Sequence, residues 1–197
     1  VLALPKAEAM DRKDNDYADR LSGKLVAVFA KSSDGTVRIA VLDKLVPLLS
    51  LHASEQAMVL LNSALTDAAS AGDSPSSVSL AVLSAVGRLG NSDSFAIIYS
   101  IWKNRKWQRN SQELEAALAG ISLRLHGDAV KVIVSADIAE AGEYFAVLKK
   151  NGKNHQEFLA EILSEKLIIQ LVNSFNNSED IYLEDANYLE SPLVVNI

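Results

Sequence analysis

The chain of 197 residues has no cysteine. Disulfides, thiol nucleophiles and cysteine-based zinc sites are therefore excluded. Aromatic residues make up only 6% of the chain. No apolar run approaches the roughly 18 residues that a membrane-crossing helix needs. Residues 10–175 show no alternating strand pattern. Neither a Gly-x-Ser-x-Gly elbow nor a Gly-Lys-Ser/Thr loop occurs. The Gly-containing turns Ser33-Asp34-Gly35, Ala71-Gly72-Asp73 and Asn151-Gly152 lack phosphate-loop spacing. The only histidines, His52, His126 and His155, are far apart and carry no i, i+4 ligand spacing. Glu157, Glu161 and Glu165 form a row at i, i+4 and i+8 that reads as a solvated helix face. The expectation is no catalytic residue, no metal site and no cofactor.

Positive charge is also sparse. The net charge is −6, and residues 176–197 hold Glu179, Asp180, Glu184, Asp185 and Glu190 with no Lys or Arg. That segment contributes −5 and leaves −1 for the rest. A nearly neutral body argues against non-specific nucleic-acid binding, which needs a basic footprint. At the other end, Val1-Leu-Ala-Leu-Pro-Lys-Ala7-Glu-Ala9 fits two readings, the end of a signal peptide with Ala7-x-Ala9 as cleavage pattern, or an ordinary arm. An exported or periplasmic compartment and a cytoplasmic one both remain open.

What the chain does have is 49% hydrophobic residues, mostly good helix formers, and a phrase repeated along its middle. The phrase reads Val37-Arg-Ile-Ala40…Leu45…Leu48, then Val78-Ser-Leu-Ala81…Val86-Gly87-Arg88-Leu89-Gly90-Asn91, then Leu114-Glu-Ala-Ala117…Ile121…Arg124-Leu125-His-Gly127-Asp128. Self-similarity at a period of 36 to 41 residues marks stacked helical units, each too small to bury its own apolar face.

The spacing predicts nine helices. The first runs from Asp16 to Lys31 with Leu21, Leu25, Val28 and Phe29 inward. The second follows Ser33-Asp34-Gly35 with Val37, Val41, Leu45, Leu48 and Leu49 inward, kinked near 43–47 by Pro47. The third starts at Ser54. The fourth has Ser74 as N-cap and Pro75 at the first helical position, and ends at Gly90 in a left-handed conformation. The fifth starts near Ser92-Asp93 with Phe95, Ile98, Tyr99 and Trp102 inward, and the sixth runs from Asn110-Ser-Gln-Glu113 to Gly127. A short seventh follows Asp128, with an extended Val132-Ile-Val134 as the alternative. The eighth starts at Asp137 with Ile138, Ala141, Phe145 and Leu148 inward, and the ninth at Asn154. The closing Pro192-Leu-Val-Val-Asn-Ile197 reads as a short strand, a groove-docking segment or part of a frayed acidic tail.

Helix pairs at about 40 residues with this phrase resemble HEAT repeats. Val78 to Asn91 carries the second-half signature most fully, 114–128 more loosely, and the resemblance covers roughly residues 34–175. It implies an all-α, right-handed α-solenoid of about four HEAT-like helix pairs, with an extra N-terminal helix capping the first unit. Residues 1–15 form an N-terminal arm, 16–175 the solenoid, and 176–197 an acidic C-terminal extension. Gly87 and Gly120 read as close-packing positions. Proteins of this kind are mostly scaffolds, so the implied function is non-enzymatic binding of a protein or peptide on a helix-lined surface.

One cluster has chemical character of its own. Trp102-Lys103-Asn-Arg105-Lys106-Trp107-Gln-Arg109 places four cations and two tryptophans in eight residues. Lys103, Arg105, Lys106, Trp107 and Arg109 are the candidate partner-binding residues, holding an acidic protein or the chain's own acidic tail by charge and cation–π contact. The alternatives are base stacking with phosphate neutralisation in a nucleic-acid-binding array, and a core Trp102 followed by a solvated helix end. A third class, an enzyme accessory or lyase on the same repeats, has no residue to carry it.

Overall fold

The computed structural model describes residues 12–136 and 138–151, with backbone alone for 12–16, 132–134 and 138. The ninth predicted helix, the acidic extension and most of the N-terminal arm lie outside the described residues. Those described are helical throughout: α1 (Arg12–Lys31), α2 (Gly35–Leu51), α3 (Glu55–Ala71), α4 (Ser77–Leu89), α5 (Ser92–Lys103), α6 (Ser111–Arg124), α7 (His126–Ser135) and α8 (Ile138–Asn151), with a short 3₁₀ turn at Gln108–Asn110. The fold is all-α. The chain divides into two compact units, residues 1–121 and 122–197.

In the first unit, helices pack on two kinds of neighbour. α1 packs on α2, α3 on α4, and α4 on α5, as sequence neighbours do. Helices one step further apart also pack: α1 on α3, α2 on α4, α3 on α5. Odd-numbered helices thus touch odd and even touch even. Side chains set these seams. Ala18, Ser22, Val26 and Phe29 of α1 are buried, a stripe at i, i+4, i+8 and i+11. Val28, expected inward, is 45% exposed, because the buried stripe is rotated and Leu21 and Leu25 lie at its edge. In α2, Leu42 takes the place expected of Val37, which is exposed. Arg38 lies flat against the core edge, its guanidinium 4.2 Å from the Phe29 ring centroid, a cation–π geometry.

Capping sets the helix starts. The Asp34 carboxylate accepts from Thr36 N–H at 2.8 Å, and Ser54 Oγ from Ala57 N–H at 3.4 Å. α4 departs from expectation: Ser76, not Ser74, is the N-cap, accepting from Ser79 N–H at 3.1 Å, and Pro75 precedes the helix. Ser76 takes the role because its backbone is extended and its hydroxyl reaches the Ser79 N–H. α2 runs unbroken through Pro47. Proline removes the donor for the Asp43 carbonyl, and Asp43 and Pro47 are both exposed, so water can serve instead. Gly90 has φ −56°, not the expected left-handed value. It is needed for space: a Cβ there would run into Ser94 and the Val86 carbonyl.

A polar knot sits at the α4–α5 turn, with Asn62 and Ser94 buried and Asn91 at its exposed edge. Asn91 and Ser94 form a reciprocal capping box. Asn62 from α3 joins it, donating from Nδ2 to Asn91 Oδ1 at 3.3 Å and accepting from Ser94 Oγ at 2.7 Å. Buried amides and hydroxyls need such partners, so the knot sets the register of α3 against this turn. His52 Nε2 lies 2.7 Å from Asp19 Oδ1, joining the end of α2 to α1.

In the second unit, α7 starts at His126 and contains Gly127, which was expected to end the preceding helix. That helix stops at Arg124 instead. The extended alternative at 132–134 is overturned, since α7 continues to Ser135. In α8 the buried aromatic is Tyr144, not Phe145. The Tyr144 hydroxyl is satisfied in the core by a hydrogen bond with Ser122. Burial raises the Tyr144 pKa well above the ordinary tyrosine value of 10.0, against a smaller lowering by Ser122. The unfolded chain ionises first, so this stability is complete below pH 10 and is lost as pH rises above it. Urea titrations should show wild type losing up to about 1.4 kcal/mol per pH unit above pH 10 relative to Tyr144→Phe. Parallel pH profiles for the two would refute the assignment.

Candidate functional site: a two-arginine cleft

The α5–α6 connection is built around Trp107. Its side chain is fully buried, and Nε1–H donates to the Gly72 carbonyl at 3.2 Å. Next to it, Lys106 Nζ donates to the Ala69 carbonyl at 2.7 Å. Both acceptors lie at the C-terminal end of α3, where carbonyls lack helical donors and the helix dipole favours a cation. Lys106 and Trp107 therefore fasten this connection across the end of α3. They belong to the fold, and the indole is not presented to a partner.

Backbone strain accompanies this. Arg105 and Trp107 have φ of 55° and 58°, and they are the two non-glycine residues with positive φ among those described. A left-handed L-residue costs roughly 1–2 kcal/mol, and it persists where surrounding contacts over-determine it. The buried indole and the two carbonyl bonds supply those contacts.

Arg105, Gln108 and Arg109, with Asp73 and Ser74 just past the end of α3, are among the residues lining an open cleft of about 410 Å³. Arg105, Gln108 and Arg109 are exposed. Lys103 is exposed at the end of α5, outside the lining. Of the five candidate residues, then, the structure gathers Arg105 and Arg109, keeps Lys103 nearby in sequence, and commits Lys106 and Trp107 to α3. Asp73 and Ser74 were missed by sequence reasoning. They lie some thirty residues upstream, and the Trp107–Gly72 and Lys106–Ala69 bonds, with α3 packed on α5, bring them here.

Trp102 is also buried, its ring 5.6 Å from that of Tyr99, which in turn stacks at 5.9 Å on Phe95. A second depression of about 620 Å³ is lined by Lys24, Ala27, Val28, Lys31, Ser32 and Val37. Among the described residues, no three His, Asp or Glu side chains are grouped to hold a metal ion, and no helix is long and apolar enough to cross a membrane. The chain matches no known family, no curated protein and no solved structure.

Proposed function

We propose that the chain is a HEAT-like, right-handed α-solenoid acting as a non-enzymatic scaffold or adaptor, with a protein or peptide partner bound on its helix-lined surface. The observation that carries this is the alternating contact pattern: α1, α3 and α5 against one another, α2 and α4 against one another. Stacked helix pairs produce that pattern, and it falls in step with the repeated phrase, whose copies sit on α2, α4 and α6. In this reading α1 is the first helix of the first pair, not an extra cap. The pair seams use small residues. A Cβ on Gly35 would lie 3.3 Å from Val78, and one on Gly87 would lie 2.8 Å from Ala117 Cβ.

The binding surface in this reading is the edge carrying Lys103, Arg105 and Arg109. Burial of both tryptophans weighs for a protein partner over nucleic acid, since neither offers a free face for base stacking. The test is an affinity capture from native lysate with wild type and a Lys103→Glu/Arg105→Glu/Arg109→Glu variant that leaves Trp107 intact. A partner held by wild type and reduced at least tenfold by the variant is expected. Equal capture would keep the scaffold and remove this surface; no specific capture by either would sink the adaptor reading.

A further inference from the structure

α1 carries apolar side chains on two faces. The stripe of Ala18, Ser22, Val26 and Phe29 is buried inside the first unit. A second stripe, Tyr17, Leu21, Lys24, Val28 and Lys31, falls at i, i+4, i+7, i+11 and i+14 and so shares another face. Leu21 is half-buried there, while Tyr17 and Val28 are each 45% exposed. Val37, at the start of α2, is 39% exposed. It lies beside this stripe, since Val28, Val37, Lys24 and Lys31 are among the residues lining the depression of about 620 Å³. Three of the six exposed large hydrophobic side chains among the described residues thus fall on this stripe or at its edge. Exposed apolar groups scattered singly need no explanation, but a continuous patch asks for an occupant.

The chain just ahead of α1 has the composition and the reach to be that occupant. It begins Val1-Leu2-Ala3-Leu4-Pro5, and in an extended chain Leu2 and Leu4 point to the same side. Pro5 favours an extended run, because it disfavours helix for Leu4 before it. Leu4 lies eight residues before Arg12, the start of α1. Extended, those eight residues span about 26 Å. Val28 lies sixteen residues after Arg12, about 24 Å along the helix. An arm folded back at the start of α1 therefore brings Leu4 level with Val28, with Leu2 one step further along the same face. A second copy suits the patch less well. Two copies meeting through it would bring Lys24 and Lys31 of each into one interface, where like charges repel.

We propose that the N-terminal arm lies back along α1 as an extended strap, with Leu2 and Leu4 covering the patch around Val28 and Val37. The proposal does not depend on what the chain binds elsewhere, and its failure would leave the scaffold reading standing.

The test is disulfide trapping in the full chain. The chain has no cysteine, so two introduced thiols are the only ones present. The pairs are Leu4→Cys/Val28→Cys and Leu4→Cys/Tyr17→Cys, oxidised with glutathione disulfide and read by mass spectrometry. Both helix positions are exposed, so both variants keep their fold. An arm that does not dock would close the shorter loop, to position 17, more readily. The strap predicts the reverse: an intramolecular disulfide at least tenfold faster with Val28→Cys than with Tyr17→Cys. Adding Leu2→Asp should remove that preference. Equal rates, or faster closure at position 17, would overturn the proposal. So would a preference for position 28 that survives Leu2→Asp. Disulfide-linked dimers as the main product would also overturn it, and would give the patch to a second copy.

Discussion

Trp107→Ala is expected to lower the stability of the chain by about 3–5 kcal/mol. For a chain of this size that is a fall in melting temperature of roughly 6–20 °C. Trp107 is the largest of the fully buried side chains. Its removal leaves a cavity between the α5–α6 connection and the end of α3, and strips the Gly72 carbonyl of its donor. It also removes what holds the left-handed backbone at 105 and 107, and relaxation of that strain would offset only part of the loss. Trp107→Phe keeps a ring in the slot without the N–H and should fall between the two. Denaturant titrations followed by circular dichroism measure this directly. A loss below about 1 kcal/mol for the alanine variant would show that the indole is not the anchor. The same experiment separates two readings of this tryptophan, since a surface residue used for partner binding would change melting by under about 0.5 kcal/mol.

Much of the helical frame was legible because helices announce themselves locally. Periodic apolar residues and short caps placed α3, α5 and α6 to within a residue or two of their observed starts. Where the reading failed, a competing interaction decided. Val28 and Val37 satisfy the periodic pattern but lie outside, since which stripe is buried depends on the neighbours and not on the helix itself. Tyr144 lies in the core in place of Phe145, and its hydroxyl is satisfied there by a hydrogen bond with Ser122, a partner that periodicity does not reveal. Gly90 looked like a left-handed terminus, yet its glycine answers a steric demand from Ser94, four residues on.

The site was legible in composition and not in geometry. The run from Lys103 to Arg109 stood out by charge. Its sorting into two structural and two cleft-lining residues depends on backbone φ at 105 and 107, which no periodicity encodes. Alternation offered no guide either, because Lys106 and Trp107 are adjacent and both turn toward α3. Of the cleft's other residues, Asp73 had read as part of a turn and Ser74 as the N-cap of the fourth helix. The clue available in sequence was the pairing of an Ala-Gly-Asp turn with a tryptophan carrying an N–H in need of a carbonyl.

Gly87→Ala and Gly120→Ala are expected to change stability in opposite directions. Both sit inside helices, where replacing glycine by alanine is worth up to about 1 kcal/mol in propensity. At Gly87 the new Cβ would lie 2.8 Å from Ala117 Cβ, 2.9 Å from Ala117 Cα and 3.2 Å from its carbonyl oxygen. Two of those three atoms are backbone, so α4 and α6 would have to move apart, opening a seam around Val86 and Leu118, both fully buried. Overpacking of that kind costs about 1–3 kcal/mol and outweighs the propensity gain. At Gly120 the nearest atom to a new Cβ is the Gly87 carbonyl oxygen at 3.5 Å, an ordinary contact, and the residue is exposed. There the propensity gain should appear as a stabilisation of up to about 1 kcal/mol. Adding Ala117→Gly to Gly87→Ala should restore part of the loss and not all of it, since the Cα and carbonyl oxygen remain in the way. Thermal and urea melts of the three variants beside wild type check this. A stabilised Gly87→Ala would mean that α4 and α6 do not approach at this point, and the small-residue seam on which the stacked-pair reading leans would lose one of its two supports.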